Sequence, residues 1–348
     1  MSDGVVFVLG AGFTRAFVPN APLLVDDYGI RDLRIRFASF SHAAAILDRE
    51  LAEYPDGRVD LERLLTRLSG MPYDAVDARR EFALLDTELR KSLVRRIKDA
   101  KAAGVESGKL GAFARHVLDG EASIVTFNYD DVFDEALWRA ALEKANGNTR
   151  KSPWHPDGGY GFFCRPSSIV VFDSMNYEDE TRSLVLKLHG SINWRSRLGE
   201  GTPRGPAAIL HHEQWSERPF FPHPPKYDSI ESHLEPDPFI VPPVLVKAEL
   251  AAHPVLSVVW TLAHERLKAA KTVIFIGYSL PATDLASRTL FRETLANRAD
   301  LDVRIVSIAR ADDEEQAVKL AYRSLFKGLP DTQFDFLGAR AWIERLPA

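Results

Sequence analysis

Four short segments place polar residues that could bind a ligand or take part in catalysis directly after runs of apolar residues. The first is GAGFT, which contains Gly10, Ala11, Gly12, Phe13 and Thr14 and follows the apolar run 5–9. Glycines let the backbone approach a ligand closely, and the free N–H groups at the start of the following helix favour a phosphate. The segment therefore predicts a phosphate-binding turn, with a purely structural tight turn as the alternative. The dinucleotide fingerprint G-x-G-x-x-G would need a glycine where Arg15 stands, which weakens the standard dehydrogenase interpretation.

The second and third segments offer an amide, a carboxylate and an imidazole. In TFNYD, Asn128 and Asp130 follow a short apolar run, although Asp130 or Asp131 could instead cap the next helix. In LKLHGS, His189 comes directly after an alternating apolar run and before Gly190. An imidazole can act as a base near neutral pH, whereas a lone histidine is more often structural.

The fourth segment is GYSL, in which Gly277 ends an apolar run, Ser279 follows it, and a helix is expected to start at Asp284. Its N–H groups and hydroxyl suit a phosphate or a ribose. All four polar clusters fall at predicted strand ends, and ligands of open α/β sheets bind outside the carboxyl ends of the strands. We therefore expect the four segments to form one site.

The elements that must position these residues follow from the apolar pattern. Short β-branched runs alternate with helical stretches, which predicts an α/β fold with a mostly parallel sheet. The predicted strands lie at residues 5–9, 124–126, 169–172, 184–188, 273–276 and 303–308.

Two further segments interrupt this alternation. Residues 60–68 and 81–97 carry apolar side chains at three- and four-residue steps, which predicts a helical insertion over residues 38–118. Residues 202–243 contain ten of the chain's 21 prolines. This proline-rich loop is expected to be a lid, a binding loop or a disordered segment.

Composition sets the broad class. The chain has 348 residues, 45% of them hydrophobic and 27% charged, which is typical of a folded globular protein. The net charge of −5 gives no support to nucleic-acid or membrane binding. Without a basic leader or a long apolar run, we expect a cytoplasmic protein.

The metal-binding options are few. The single Cys164 excludes a disulfide within this chain and a four-cysteine zinc site. His211, His212 and Glu213 could be read as metal ligands, but no second ligand pair has zinc spacing. We therefore expect an exposed polar loop there and no metal.

Taken in order, GAGFT, TFNYD, LHGS and GYSL resemble the motifs of the sirtuin-like NAD-binding superfamily. The forms N-Y-D, L-H-G-S-x-x-W and G-Y-S, completed by Asn193 and Trp194, look like those of prokaryotic sirtuin-like proteins that lack the zinc module. The resemblance implies one Rossmann-like domain over residues 1–348, with helices on both faces of the sheet and the helical insertion in place of the zinc module.

The resemblance also implies roles for individual residues. NAD would be the substrate, and Asn128 and His189 would be the catalytic residues beside the nicotinamide ribose. Asp130 would face the nicotinamide carboxamide, and Ser307 stands where the family often has an asparagine that contacts the adenosine ribose. The residues left to hold the rest of NAD, chiefly its pyrophosphate, are Gly10, Ala11, Gly12, Phe13, Thr14, Gly277 and Ser279.

The reaction implied is cleavage of NAD to nicotinamide and ADP-ribose, because the missing zinc module disfavours protein deacylation. The resemblance further suggests an NAD-depleting effector of a bacterial antiviral defence system, assembled as a homo-oligomer or gated by a separate sensor or ATPase protein. Two alternatives remain open: a deacylase or ADP-ribosyltransferase, and a regulatory subunit that binds NAD or ADP-ribose without catalysis.

Overall fold

A computed structural model describes residues 4–70, 76–148, 151–156, 158–162, 183–196, 209–211, 238–243, 253–281, 284–309 and 311–347. These residues divide into two compact units. The first comprises the described residues among 1–18, 105–240 and 249–348, and the second comprises 19–104 with 241–243.

The described chain contains both helices and strands. In chain order they are β1 (Val5–Leu9), α1 (Ala11–Phe17), β2 (Val25–Asp27), α2 (Ile30–Arg36), α3 (Ser41–Glu53), β3 (Arg58–Asp60), α4 (Leu61–Gly70), α5 (Val76–Ala103), α6 (Ser107–Asp119), β4 (Ser123–Thr126), α7 (Val132–Lys144), β5 (Val185–Lys187), β6 (Trp194–Ser196), β7 (Ile209–His211), α8 (Pro254–Ala269), β8 (Thr272–Ile276), α9 (Leu285–Thr294), β9 (Asp302–Val306), α10 (Asp312–Arg323), β10 (Phe334–Asp335) and α11 (Gly338–Ile343).

The first unit is built on a six-stranded sheet with the order β10-β9-β8-β1-β4-β5. Every neighbouring pair in this sheet is parallel. The strands are short and almost wholly apolar, as expected where helices cover a parallel sheet. The predicted mostly parallel α/β sheet is therefore confirmed. The predicted strand at residues 169–172 lies outside the described residues, and the edge strand β10 was not predicted from the sequence.

Helices cover both faces of the sheet. In parallel strands, paired residues point to the same side, and Val8 pairs with Phe275, so Phe7 and Phe275 point to opposite sides. The ring of Phe7 packs edge-on against Phe113 of α6 at 5.1 Å between centroids. The ring of Phe275 packs against Phe291 of α9, also at 5.1 Å. The expected two-faced helical cover is thus present.

The order of the strands creates a switch point beside β1. The chain moves from β1 to β4 and β5 on one side, and later places β8 and β9 on the other side. At such a point the loops leaving two neighbouring strands run in opposite directions, which opens a crevice outside their carboxyl ends. The turns after β1 and β8 meet at this crevice.

The second unit contains α2 to α5 and the antiparallel pair β2–β3. Leucines at one face of α4 and α5 are fully buried, among them Leu64, Leu65, Leu85 and Leu89. The helices predicted at residues 60–68 and 81–97 are therefore present, the second as part of a 28-residue helix.

The predicted proline-rich loop, residues 202–243, lies mostly outside the described residues. Within it, β7 pairs with β6 in antiparallel fashion. The last long helix of the sequence, α10, ends at Arg323. No helix among the described residues is both long enough and apolar enough to cross a membrane.

Candidate functional site

The structure brings the four polar segments to one edge of the sheet. Gly10, Asn128, His189, Gly277 and Ser307 each follow the last residue of β1, β4, β5, β8 or β9 by no more than two positions. These strands are consecutive neighbours in the sheet and all run the same way. Neighbouring strands lie about 4.8 Å apart, so the row of strand ends from Ser307 to His189 spans about 19 Å. Such a row suits an extended ligand.

The turns after β1 and β8 pack directly against each other. The N–H of Gly12 donates to the carbonyl of Gly277 at 2.9 Å, and the N–H of Gly10 donates to the carbonyl of Ile276 at 3.1 Å. A Cβ on Gly277 would lie 2.1 Å from the backbone nitrogen of Phe13. Glycine is therefore required here for the close approach of two backbones, which favours the structural interpretation of these glycines.

This packing changes which groups of the turn can reach a phosphate. The N–H groups of Gly10, Gly12 and Gly277 all donate within the protein. Ala11 is exposed at the first position of α1, where a backbone N–H has no acceptor inside the helix. The side chain of Phe13 is buried. Of the predicted phosphate-binding groups in this turn, the N–H of Ala11 is the best placed.

Asn128 is fixed by its side-chain amide. Its Nδ2 donates to the carbonyl of Gly10 at 2.8 Å and to Oγ1 of Thr14 at 3.0 Å. A carbonyl can only accept, so the contact with Gly10 settles which end of the amide is nitrogen. The Oδ1 atom of the half-buried Asn128 is then the acceptor that remains for a ligand hydroxyl or a water molecule.

Asp130 serves the adjoining helix and the same hydroxyl. Its Oδ1 accepts from the N–H of Val132 at 3.1 Å, at the start of α7, and its Oδ2 accepts from Thr14 Oγ1 at 2.7 Å. Asp131 stands at the N-cap position without a side-chain capping bond. Desolvation raises the pKa of Asp130, while the ammonium of Lys187 and the bond from Thr14 act against that rise. The capping role considered for Asp130 is therefore present in the structure.

His189 is 5% exposed and surrounded by aromatic rings. Phe127 contacts it edge-on at 5.3 Å, and Tyr129 stacks with it at 6.2 Å between ring centroids. The ring centroid of Trp260 in α8 lies 6.5 Å from that of His189, and Nε1 of Trp260 donates to the carbonyl of Leu188 at 2.9 Å. These contacts hold the imidazole at the end of β5, beside the turn that carries Asn128.

The acidic neighbour of His189 was not predicted from the sequence. Oδ2 of Asp284 lies 3.9 Å from Nε2 of His189, and both side chains are 6% exposed. Asp284 was assigned only the start of a helix, and no spacing in the sequence connects it with His189. The carboxylate is therefore within ion-pair distance of the imidazole.

A buried polar network adjoining the site was also not predicted from the sequence. Lys187 is fully buried, and its Nζ donates to the carbonyl of Asp130 and to Oδ2 of Asp134 at 3.1 Å. The hydroxyl of Tyr160 donates to the same carboxylate at 2.9 Å and accepts from Nδ2 of Asn193 at 3.1 Å. The signal in the sequence was a lysine inside an apolar strand, which demands a buried partner.

The remaining predicted contacts lie towards the β9 side of the edge. Ser279 is exposed beyond Gly277, and Ser307 is half-buried at the end of β9. The backbone N–H of Ser307 donates to the carbonyl of Asp335 in β10. Ser307 therefore lies beside the edge strand β10, at the opposite end of the row of strand ends from His189.

Among the described residues, no group of three His, Cys, Asp or Glu side chains could hold a metal ion. Cys164, His212 and Glu213 lie outside the described residues, and nothing is described of the side chain of His211.

Comparison with known proteins gives structural similarities only. No model of a known protein family matches the chain, and no curated protein matches it. A crystal structure of a Sir2 homolog–NAD complex is 15% identical, with 92% of this chain and 90% of that chain covered and a TM-score of 0.42. A Sir2 homologue variant in complex with ADP-ribose is 14% identical, with 94% of each chain covered and a TM-score of 0.41. The fold class follows from the strand order of the sheet itself.

Proposed function

We propose that this chain binds NAD along the carboxyl edge of the sheet and hydrolyses the bond between nicotinamide and ribose. The observation that carries the proposal is the placement of Asn128 and His189 after the neighbouring strands β4 and β5. Both strands lie on the same side of β1, opposite to β8 and β9. Ligands of open α/β sheets bind in the crevice at the switch point beside β1, and β4 is the strand next to β1. The motif resemblance supplies the identity of the ligand.

The reaction requires few groups from the protein. The nicotinamide ring of NAD is a pyridinium, and it departs as neutral nicotinamide because the electron pair of the broken C–N bond stays on the ring nitrogen. No acid has to protonate the leaving group, in contrast to the oxygen leaving groups of glycosidases. The oxygen of water forms the new bond to the ribose carbon, and the proton of that water must be accepted by a base.

Asn128 and His189 fit the two tasks that remain. Oδ1 of Asn128 accepts a hydrogen bond from the attacking water and orients it, since the Nδ2 atom is held by Gly10 and Thr14. His189 accepts the proton, because an imidazole titrates near neutral pH. In this proposal Ala11 and Ser279 contact the pyrophosphate, and Ser307 contacts the adenosine end.

The biological role that we propose rests on the motif resemblance. It is a cytoplasmic NAD-depleting effector of a bacterial antiviral defence system. Such an enzyme must be restrained in an uninfected cell, so we propose gating by homo-oligomerisation or by a separate sensor or ATPase protein.

The test is nicotinamide release from NAD by the purified chain, alone and with the proteins encoded beside its gene. Wild type is expected to release nicotinamide, and Asn128→Ala and His189→Ala are each expected to lose at least about 100-fold of the rate, the usual contribution of such groups. The exposed His42→Ala serves as the matched control and should retain the rate. Circular dichroism checks that each variant is folded.

Each other outcome favours an alternative. Bound NAD without product in any mixture would overturn the enzyme and favour a regulatory binding subunit. Release that requires an acyl-lysine peptide would favour a deacylase, and ADP-ribose recovered on a protein would favour a transferase. Full activity in both site variants would overturn the assignment of Asn128 and His189.

A further inference from the structure

The loop between β8 and α9 brings a carboxylate across the sheet to the end of β5. In the sheet, β8 and β5 are separated by β1 and β4. Three strand spacings amount to about 14 Å. Nevertheless, Asp284 at the end of the β8–α9 loop lies with its Oδ2 3.9 Å from Nε2 of His189.

Described residues at both ends of this loop hold it in place. Two of its residues have left-handed backbone conformations: Gly277 with φ +62° and Leu280, which is not a glycine, with φ +51°. The side chain of Leu280 is nevertheless buried. The hydroxyl of Tyr278 donates to Oγ of Ser287 at 2.8 Å, and its ring stacks on Phe127 at 4.7 Å, the same ring that contacts His189.

The two oxygens of Asp284 have different partners. Oδ1 accepts from the N–H of Ser287 at 3.3 Å, so the residue caps α9. Oδ2 faces His189. A serine or an asparagine could cap the helix equally well. Capping alone therefore does not require a carboxylate at this buried position, whereas a carboxylate, unlike a serine or an asparagine, favours a cation on the ring that faces it.

We propose that Asp284 is a positioning residue for His189, which orients the imidazole and stabilises the imidazolium that forms when His189 accepts a proton. Its catalytic consequence rests on the function proposed above, but the ion pair itself does not. Among the described residues, the side chains in ring contact with His189 come from the β4–α7 turn (Phe127 and Tyr129) and from α8 (Trp260). Of these only Tyr129 titrates, and a phenol is neutral near pH 7.

The ion pair is tested by an NMR titration of the histidine side chains, with the His189 signal assigned by its loss in His189→Asn. Asp284→Asn and Asp284→Ser both keep a capping side chain and remove the charge. In each, the midpoint of the His189 titration is expected to fall by about 1 to 2 pH units. Asp300→Asn, an exposed carboxylate of the same unit that pairs with Arg298, should leave the midpoint unchanged.

The catalytic arm measures nicotinamide release over the same pH range. Asp284→Asn is expected to lower kcat about tenfold or more with little change in KM, and to move the acidic limb of the pH profile with the midpoint. An unchanged midpoint in folded Asp284→Asn and Asp284→Ser would overturn the ion pair. A lowered midpoint with no NAD cleavage by any form would retain the ion pair and overturn the proposed function. A lowered midpoint with unchanged kcat would overturn the catalytic part alone.

Discussion

The hydroxyl of Thr14 connects the two polar side chains of the β4–α7 turn. It accepts from Nδ2 of Asn128 and donates to Oδ2 of Asp130, and Thr14 itself is 4% exposed. A buried hydroxyl with both a donor and an acceptor cannot be replaced by a methyl group without leaving partners unpaired. At the scale of single residues, Thr14 is therefore part of the support of the site, in addition to the phosphate contact predicted for it.

We predict that Thr14→Val lowers the free energy of unfolding by about 1–3 kcal/mol, because valine keeps the shape and removes both hydrogen bonds. It should also lower nicotinamide release by releasing Asn128. The matched control is Thr261→Val, whose exposed hydroxyl bonds to the carbonyl of Ser257 within α8. The control should change stability by about 0.5 kcal/mol or less in urea unfolding. Equal losses in the two variants would contradict the role of Thr14.

At the scale of elements, the contact between the β1–α1 turn and the β8–α9 loop sets the geometry of the edge. Gly277 has φ +62° and has no room for a Cβ beside Phe13. Gly328, after α10, has φ +77° but no heavy atom within 4 Å of an added Cβ. Alanine substitutions at the two glycines can therefore distinguish the free-energy cost of the backbone conformation from that of the close contact.

We predict that Gly328→Ala costs about 1 kcal/mol of stability, since only the left-handed conformation is penalised. Gly277→Ala is expected to cost about 1–3 kcal/mol more, because the two turns must move apart. Urea unfolding measures both. A similar cost for the two substitutions would show that the close contact of the turns contributes nothing to stability.

At the scale of the whole molecule, two half-buried histidines make stability depend on pH. Burial lowers the pKa of His116 and of His253 below the usual value. Between the unfolded pKa of about 6.5 and the lower folded pKa, the unfolded chain binds more protons than the folded one. Their contribution to stability is therefore fully present above the unfolded pKa and is lost as the pH falls through the folded pKa.

We predict that acidification from about pH 7 to about pH 5 lowers the contribution of these two histidines to the free energy of unfolding, with a slope that reflects up to about one proton for each histidine. His116→Gln should flatten this slope by its share. Urea unfolding at several pH values measures the effect. A slope that is unchanged by the substitution would exclude His116 as its source.

The class of the fold and the edge of the sheet where the polar residues lie could be predicted from the amino-acid sequence. Apolar runs and glycines are local signals, because burial of a strand and the conformation of a turn depend on neighbouring residues. Those signals placed β1, β4, β5, β8 and β9 correctly and put Asn128 and His189 after neighbouring strands. They did not detect β10, which has only two residues.

Which groups contact one another could not be predicted from the sequence and follows from the three-dimensional fold. Thr14 and Asp130 are 116 positions apart, and Lys187 and Asp134 are 53 positions apart. Such contacts depend on the order of the strands and on the path of the loops, and many orders are compatible with one apolar pattern. For the same reason, the pairing of His189 with Asp284 and the contact between the glycine turns were decided by the fold, where backbone packing and the burial of charge select a single arrangement.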